Sequence, residues 1–328
     1  MQKLLIVGLG DVARRALPEL LLHWDVTALT RTADGVPAHE RLRVVPFDLD
    51  VSAWSAAQLA ALRQCYDAVL WTAPPSAAVT DEDATRMRRV AAHWASAAGW
   101  TNAAHWRPKR LVYISTTGVY GDCAGAWVDE RTPSHPESSR ARARVWDEQA
   151  WGDLGVATGA QVCVLRAPGI YALERLPVQS VLAGAPVMLA DEDSFSNHIH
   201  ADDLAGAAVH ALMCSQSLYY DNPCIINVCD DTPILMGQWF AALAAALNLP
   251  APQFISRAQM QASVGAMRWS FMRESRKIAN TKLRQWGYEL KHPSAVRFIE
   301  QHQAIILQTT LENTLVMRSD SEVGDVQK

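Results

Sequence analysis

Two short clusters in this sequence carry residue types that can hold a phosphorylated ligand. The first is IVGLGDVA, where Gly8, Gly10 and Ala13 stand at GxGxxA spacing, straight after an apolar run and at the start of a helical pattern. Gly8 permits a tight turn, Gly10 lets the backbone approach a pyrophosphate, and Ala13 allows close helix–strand packing. The helix start across Leu9, Asp11 and Val12 then offers free N–H groups and partial positive charge to phosphate. Asp11 suits a helix start, but its carboxylate would repel a pyrophosphate unless it points away. The second cluster is LTRTADG, where Arg31 stands between Thr30 and Thr32. An acid in this place would hold a ribose 2′-hydroxyl. A guanidinium flanked by hydroxyls suits a 2′-phosphate instead. The expected cofactor is therefore NADP in preference to NAD.

These clusters need a scaffold that brings them together. KLLIVGL, DVTALTR, RLRVVPFDL, YDAVLWTAP, KRLVYISTT and AQVCVLRAP read as six apolar strands, separated by helical patterns such as Asp11 to His23. Such alternation predicts βαβ units and a parallel sheet covered on both faces: an α/β fold of Rossmann type, doubly wound. Thr80 and the acids at 81 to 83 read as the cap of a long crossover helix. Its Met87, Val90, Ala91 and Trp94 form a stripe that is either core or one face of a homodimer. After residue 170 the pattern becomes irregular and Pro-interrupted, with one further helix in LMGQWFAALAAALNL. The expected organisation is a nucleotide-binding domain over 1–170, to which 197–229 returns. A smaller lobe follows from 171–196 and 230–300, and 315–328 is read as a mobile tail.

The composition narrows the function classes. The chain has 328 residues, 49% of them hydrophobic, and a formal net charge of −4, which leaves no basic field for nucleic acid or anionic membrane. Gly8, Gly10, Asp11, Arg14, Arg15 and Glu19 interrupt the N-terminal apolar run, which argues against a signal peptide. No stretch reaches the ~18 apolar residues a membrane helix needs. A soluble cytoplasmic protein that acts on a small molecule is expected. The six cysteines fit no CxxC pair and mostly lie in apolar runs, so they read as buried reduced thiols; no metal site is expected.

From strand five onward the sequence resembles the extended short-chain dehydrogenase/reductases, the NAD-dependent epimerase/dehydratase family. YISTTGVYGD resembles its SSxxVYG segment, VLRAPGIY its LRxxxIYGP segment, and NHIHADDLAGAAVHAL its IHVDDLA segment. SRKIANTKLRQWGYELKHPS is similar to its C-terminal pattern. The ordered set spans the chain to about residue 300. The resemblance implies a Rossmann domain binding NAD or NADP beneath a smaller substrate lobe. It implies that Asp48 contacts adenine, and that Thr72, Ala73 and Pro74 lie beneath the riboses. It makes Thr116 the catalytic Ser/Thr and places Pro168 beside the nicotinamide. His200 to Asp203 become a structural turn.

One part of the family pattern is missing. A P-x-x-x-Y-x-x-x-K segment should follow, with the tyrosine as acid–base group and the lysine holding the ribose. Anchored on Pro136, those positions read Arg140 and Arg144. Arg144 can keep the lysine's role. Arg140 cannot act as an acid near neutrality, because its pKa exceeds ~12. HPESSRARARVWDEQ is either a solvated helix face, with Asp147 and Glu148 at helical spacing, or it turns Arg140 or Arg144 into the cleft to hold an anion. AGAWVDERTP is consistent with an atypical branch that lacks the tyrosine. The reading is an NAD(P)-dependent oxidoreductase or epimerase/dehydratase acting on a small carbonyl or sugar-nucleotide substrate by hydride transfer. Thr116, Tyr120 and Arg144 are its candidate catalytic residues. The alternative is a non-catalytic NAD(P)-binding sensor or scaffold. A 2-hydroxy-acid type dehydrogenase fits the glycine loop alone and ranks last.

Overall fold

The computed structural model describes residues 1–76, 85–98, 108–214 and 221–312. The first half runs β1 (Gln2–Val7), α1 (Asp11–His23), β2 (Trp24–Thr30), β3 (Leu42–Pro46), α2 (Ala56–Arg63) and β4 (Ala68–Trp71). It continues through α3 (Arg86–Ala98), β5 (Arg110–Thr116), β6 (Trp127–Val128), α4 (Ser139–Thr158), β7 (Gln161–Ala167) and β8 (Gly169–Tyr171). Short pieces follow: α5 (Val178–Leu182), β9 (Val187–Met188), β10 (Phe195–Ser196), β11 (His198–His200), α6 (Ala201–Met213) and β12 (Cys224–Asn227). The last described stretch holds β13 (Ile234–Leu235), α7 (Met236–Ala246), β14 (Phe254–Ile255), α8 (Arg257–Ser263), α9 (Ala266–Met272), β15 (Lys277–Ile278), α10 (Thr281–Gln285) and α11 (Ala295–Gln301).

Seven strands form one parallel sheet in the order β12-β7-β5-β4-β1-β2-β3. The six strands expected from the sequence are all present, and Cys224–Asn227 adds a seventh at the edge. The continuous apolar runs follow from covering both faces. In β1, Leu4 and Ile6 face the core under α1 and α6, whereas Leu5 and Val7 face the core under α2, α3 and α4. Met87, Val90 and Trp94 are buried in that second core, so the α3 stripe is spent on intramolecular packing. The helix cap expected at Thr80 and the tail at 315–328 lie outside the described residues.

Strand order reverses between β1 and β4, where the crossovers to the two sides of the sheet diverge. Ligands of open α/β sheets settle at such a switch point, beyond the carboxyl ends of the strands. A separate apolar core joins Tyr171, Leu176, Val181, Ile234, Trp239, Leu243, Phe298 and Ile299. A smaller one joins Met188, Met260 and Met272. Among the described residues, no helix is long and apolar enough to cross a membrane. The six cysteines are unpaired as disulfides; Cys163, Cys214, Cys224 and Cys229 are buried, but Cys65 is exposed and Cys123 half-buried, which corrects the expectation for those two.

Candidate functional site

The loop after β1 is built around a backbone contact. Gly8 has φ 94°, and a Cβ there would lie 2.7 Å from the Ala73 nitrogen. Only glycine meets both demands. Thr72 and Ala73 amides donate to the Val7 carbonyl at 2.9 and 3.0 Å, and the Thr72 hydroxyl donates to the Gly8 carbonyl. The β1 and β4 loops are thus tied together across the switch point. Gly10 differs: its φ is −80°, and a Cβ would meet nothing within 4 Å. It opens on empty space at the N-terminus of α1, which has no side-chain cap, so the first-turn amides remain available as donors.

That space is a cleft of about 840 Å³. From the glycine loop it is lined by Gly8, Leu9, Gly10 and Asp11; from β2 and β3 by Arg31, Thr32 and Asp48; and from β4 by Thr72, Ala73 and Pro74. Ten of the twelve expected cofactor residues therefore meet in one place. Val12 does not line it, because its side chain turns to the core under α1. Pro168 lies in a second cleft. The Asp48 carboxylate accepts from the Asp50 amide at 2.9 Å.

Asp11 raises no conflict with a phosphate. Its carboxylate accepts from Arg15 Nε at 2.8 Å and from Arg175 Nη1 at 3.0 Å. Arg15 also binds Asp202 and Glu174. The Asp11 charge is neutralised by a network that joins α1 to the start of α6.

Two arginines of this cleft were missed in the sequence. Arg14 donates to the Leu9 carbonyl at 3.1 Å and the Asp34 carbonyl at 2.8 Å. Arg86 donates to the Pro74 carbonyl at 2.6 Å and forks onto Asp50, holding that carboxyl below the usual carboxylate range. Arg14 had a signal, one turn into the helix that opens at the glycine loop. Arg86 had none, because it reaches the cleft only through the fold.

A second cleft of about 290 Å³ lies over the ends of β5 and β7. Thr116, Thr117, Ser138, Arg140, Pro168, Gly169, Phe195, Met236, Phe271, Glu274 and Arg276 are among its lining. Thr116 Oγ1 accepts from the Gly118 amide at 3.1 Å, which orients the hydroxyl and leaves its proton to donate outward. Arg276 Nη1 donates to the Gly121 carbonyl at 2.6 Å and to Glu274 at 2.7 Å. Arg140, in place of the expected tyrosine, lines this cleft with its Cζ 5.5 Å from the Phe271 ring centroid.

Two expected catalytic residues sit elsewhere. Tyr120 is fully buried, and its hydroxyl donates to Asn227 Oδ1 at 2.8 Å. Its ring lies under Arg166, whose Cζ is 4.8 Å from the centroid, and burial pushes its pKa up. It is a core residue. Arg144 turns to β5, where Nη1 donates to the Tyr113 hydroxyl at 3.0 Å and the Ile114 carbonyl at 2.7 Å.

The rest of α4 corrects the solvated-face reading. Asp147 and Glu148 are 1% and 7% exposed. Glu148 accepts from Ser115 at 2.5 Å and from Arg166 Nη2 at 2.7 Å. Asp147 accepts from Tyr113 at 3.1 Å, and burial raises its carboxyl to about 6 against the opposing Thr85, Tyr113 and Arg144. Ser138 caps this helix, accepting from the Ala141 amide at 3.1 Å.

The IHADD turn is scaffold. Asp203 accepts from the Lys291 and His292 amides at 2.7 and 2.9 Å. His200, Asp202 and His292 come close enough for a metal. Yet His200 Nδ1 already accepts from the Asp202 amide at 3.1 Å, and Asp202 is bound by Arg15 at 2.5 Å. That tautomer puts the proton on Nε2, so neither ring nitrogen is free to ligate.

Comparison with known proteins agrees with this geometry. Protein YeeZ of Escherichia coli strain K12 is 28% identical over 258 residues, covering 77% of this chain and 87% of its own length. A 3-diazoavenalumate denitrifying reductase of a Streptomyces species is 28% identical over 286 residues, covering 82% and 89%. The fold is also that of a UDP-N-acetylglucosamine 4-epimerase from Methanobrevibacter ruminantium M1, with TM-score 0.67, 17% identity and coverage of 94% and 99%. The sequence model of the NAD(P)H-binding family matches residues 8–213, which begins at the glycine turn and ends with α6. On that match, and on a cleft whose glycine loop faces open space, the chain belongs to the NAD(P)H-binding family and carries the extended short-chain dehydrogenase/reductase fold.

Proposed function

We propose that this chain is an NADP(H)-dependent reductase that transfers hydride to a small molecule bound in the 290 Å³ cleft. The observation that carries the reading is the pairing of two clefts across the carboxyl ends of adjacent strands. The larger holds the glycine loop and Thr72 to Pro74, and the smaller holds Thr116 and Pro168. A bound nicotinamide dinucleotide supplies the hydride. Thr116 donates a hydrogen bond to the acceptor group, and Arg144 fixes the end of β5 from behind. The amides of Leu9 to Val12 would hold the pyrophosphate. The denitrifying reductase among the relatives supports a reductase.

NADP is favoured over NAD because Arg31, between Thr30 and Thr32, lines the larger cleft, and a guanidinium pairs bidentately with phosphate. Among the described residues, no tyrosine lines the smaller cleft. The proton therefore comes from water, or the acceptor takes a hydride without one. This same feature favours a second reading, a dinucleotide-binding sensor without catalysis.

Titration of NADPH and NADH into wild type and Arg31→Ala tests the cofactor assignment. NADPH should bind tighter in wild type and lose that advantage in the variant; equal wild-type affinities would refute it. Single-turnover oxidation of bound NADPH across a panel of carbonyl and conjugated small molecules separates the two functional readings. Turnover removes the sensor, and none despite tight NADPH binding removes the reductase.

A further inference from the structure

We propose that Arg140 is a specificity-determining residue that anchors the carboxylate of a small, flat, partly apolar substrate. This rests on the reading that the smaller cleft receives the substrate.

Arg140 differs from its neighbours on α4 and around the cleft. Arg142 donates to the Glu137 carbonyl at 3.1 Å, Arg144 is held by Tyr113 and Ile114, and Arg276 is held by Gly121 and Glu274. Among the described residues, no carboxylate, carbonyl or hydroxyl accepts from Arg140. Its recorded partner is the Phe271 ring, a contact that leaves the guanidinium edge with its donors unspent. Glu274 is already paired with Arg276, so the Arg140 charge is the uncompensated one in the cleft. Arg276 adds a buried Nε without a hydrogen-bond partner.

The walls say what the anion is attached to. Phe195, Met236 and Phe271 supply apolar surface in the same lining as Thr116 and Ser138. The volume of about 290 Å³ is a third of the cofactor cleft and lies at the small end of the range for small-molecule sites, roughly 300–1,000 Å³. It suits an aromatic or conjugated monocarboxylate. A guanidinium meets a carboxylate with two parallel N–H···O bonds. The position that elsewhere in this fold supplies a proton here supplies a binding charge.

The test is isothermal titration of trans-cinnamate and its neutral counterpart trans-cinnamamide into the full chain, saturated with NADP+ and without it. Wild type, Arg140→Gln and Arg140→Lys are compared. Cinnamate should bind wild type about tenfold to hundredfold tighter than the amide, the range of one charge-assisted pair. Arg140→Gln should erase that preference and leave NADP+ affinity intact. Arg140→Lys should recover part of it, since lysine keeps the charge but not the fork. Equal binding of acid and amide by wild type, or a preference that survives Arg140→Gln, overturns the proposal. Failure of NADP+ itself to bind counts against the functional reading instead, and the acid–amide comparison on the cofactor-free chain still decides the role of Arg140.

Discussion

Gly8 and Gly10 belong to one motif but should fail in different ways when each is replaced by alanine. At Gly8 the backbone has φ 94°, and the new Cβ would sit 2.7 Å from the Ala73 nitrogen and 3.0 Å from Thr72 Oγ1. The left-handed backbone alone costs about 1–2 kcal/mol for an L-residue. Pushing two hydrogen-bonded strand ends apart adds a comparable amount, within the 1–3 kcal/mol typical of overpacking. Gly8→Ala should therefore lose roughly 2–4 kcal/mol of stability, about 3–6 °C in melting temperature for a chain of this size. At Gly10 the backbone already suits alanine, and a Cβ meets nothing within 4 Å. Gly10→Ala should melt within ~2 °C of wild type, since the change of N-cap residue costs less than about 1 kcal/mol. The methyl group instead occupies the space a pyrophosphate must enter, so NADPH affinity should fall by at least about tenfold, or 1.4 kcal/mol. Thermal melts of the ligand-free proteins and fluorescence titration with NADPH read the two effects separately. A Gly10→Ala protein as destabilised as Gly8→Ala, or one that binds NADPH like wild type, would refute the assignment of that space to the cofactor.

Other perturbations test the support beneath the clefts. Glu148→Ala should cost about 3–5 kcal/mol in urea unfolding, because it leaves the 4%-exposed Arg166 without its counter-charge; adding Arg166→Met should restore most of the loss. Asp147 has a folded-state pKa of about 6 against 3.8 when unperturbed. The folded chain thus holds its proton longer, so stability falls as pH rises from about 4 to 6 and stays lower above. The wild-type-minus-Asp147→Asn difference should change by roughly 3 kcal/mol across that window, and a flat difference would contradict the burial argument. Tyr120→Phe should lose about 1–3 kcal/mol of stability, through the unpaired Asn227 acceptor, with NADPH oxidation unchanged. Loss of turnover at full stability would return Tyr120 to the chemistry.

The cofactor cleft was largely legible in the sequence because its parts are local. Gly8 to Asp11 lie on one turn, Arg31 and Thr32 follow one strand, and Thr72 to Pro74 follow another. Each is marked by a change from apolar run to turn residues, and parallel strands necessarily bring such ends to one edge of the sheet. The substrate cleft was less legible. Arg140 is separated from Phe271 and Glu274 by more than a hundred residues, and no period or motif ties them. The sequence could place Arg140 and Arg144 four residues apart on a helix but could not choose which one faces the cleft.

That choice shows where the sequence stops. By itself the chain determined a doubly wound α/β fold, a dinucleotide loop, and the absence of an acid at the family's tyrosine position, because these depend on residue type and near spacing. Only the tertiary structure decided the fate of each polar side chain. Asp147 and Glu148 look like solvent-exposed partners for arginines on a helical wheel, yet they are buried because β5 and β7 present Tyr113, Ser115 and Arg166 to them. Tyr120 looks like a proton donor beside Thr116, yet the turn rotates it into the core onto Asn227. A polar group goes where its hydrogen bonds can be satisfied, and those partners lie on other strands, at distances along the chain that no local pattern records.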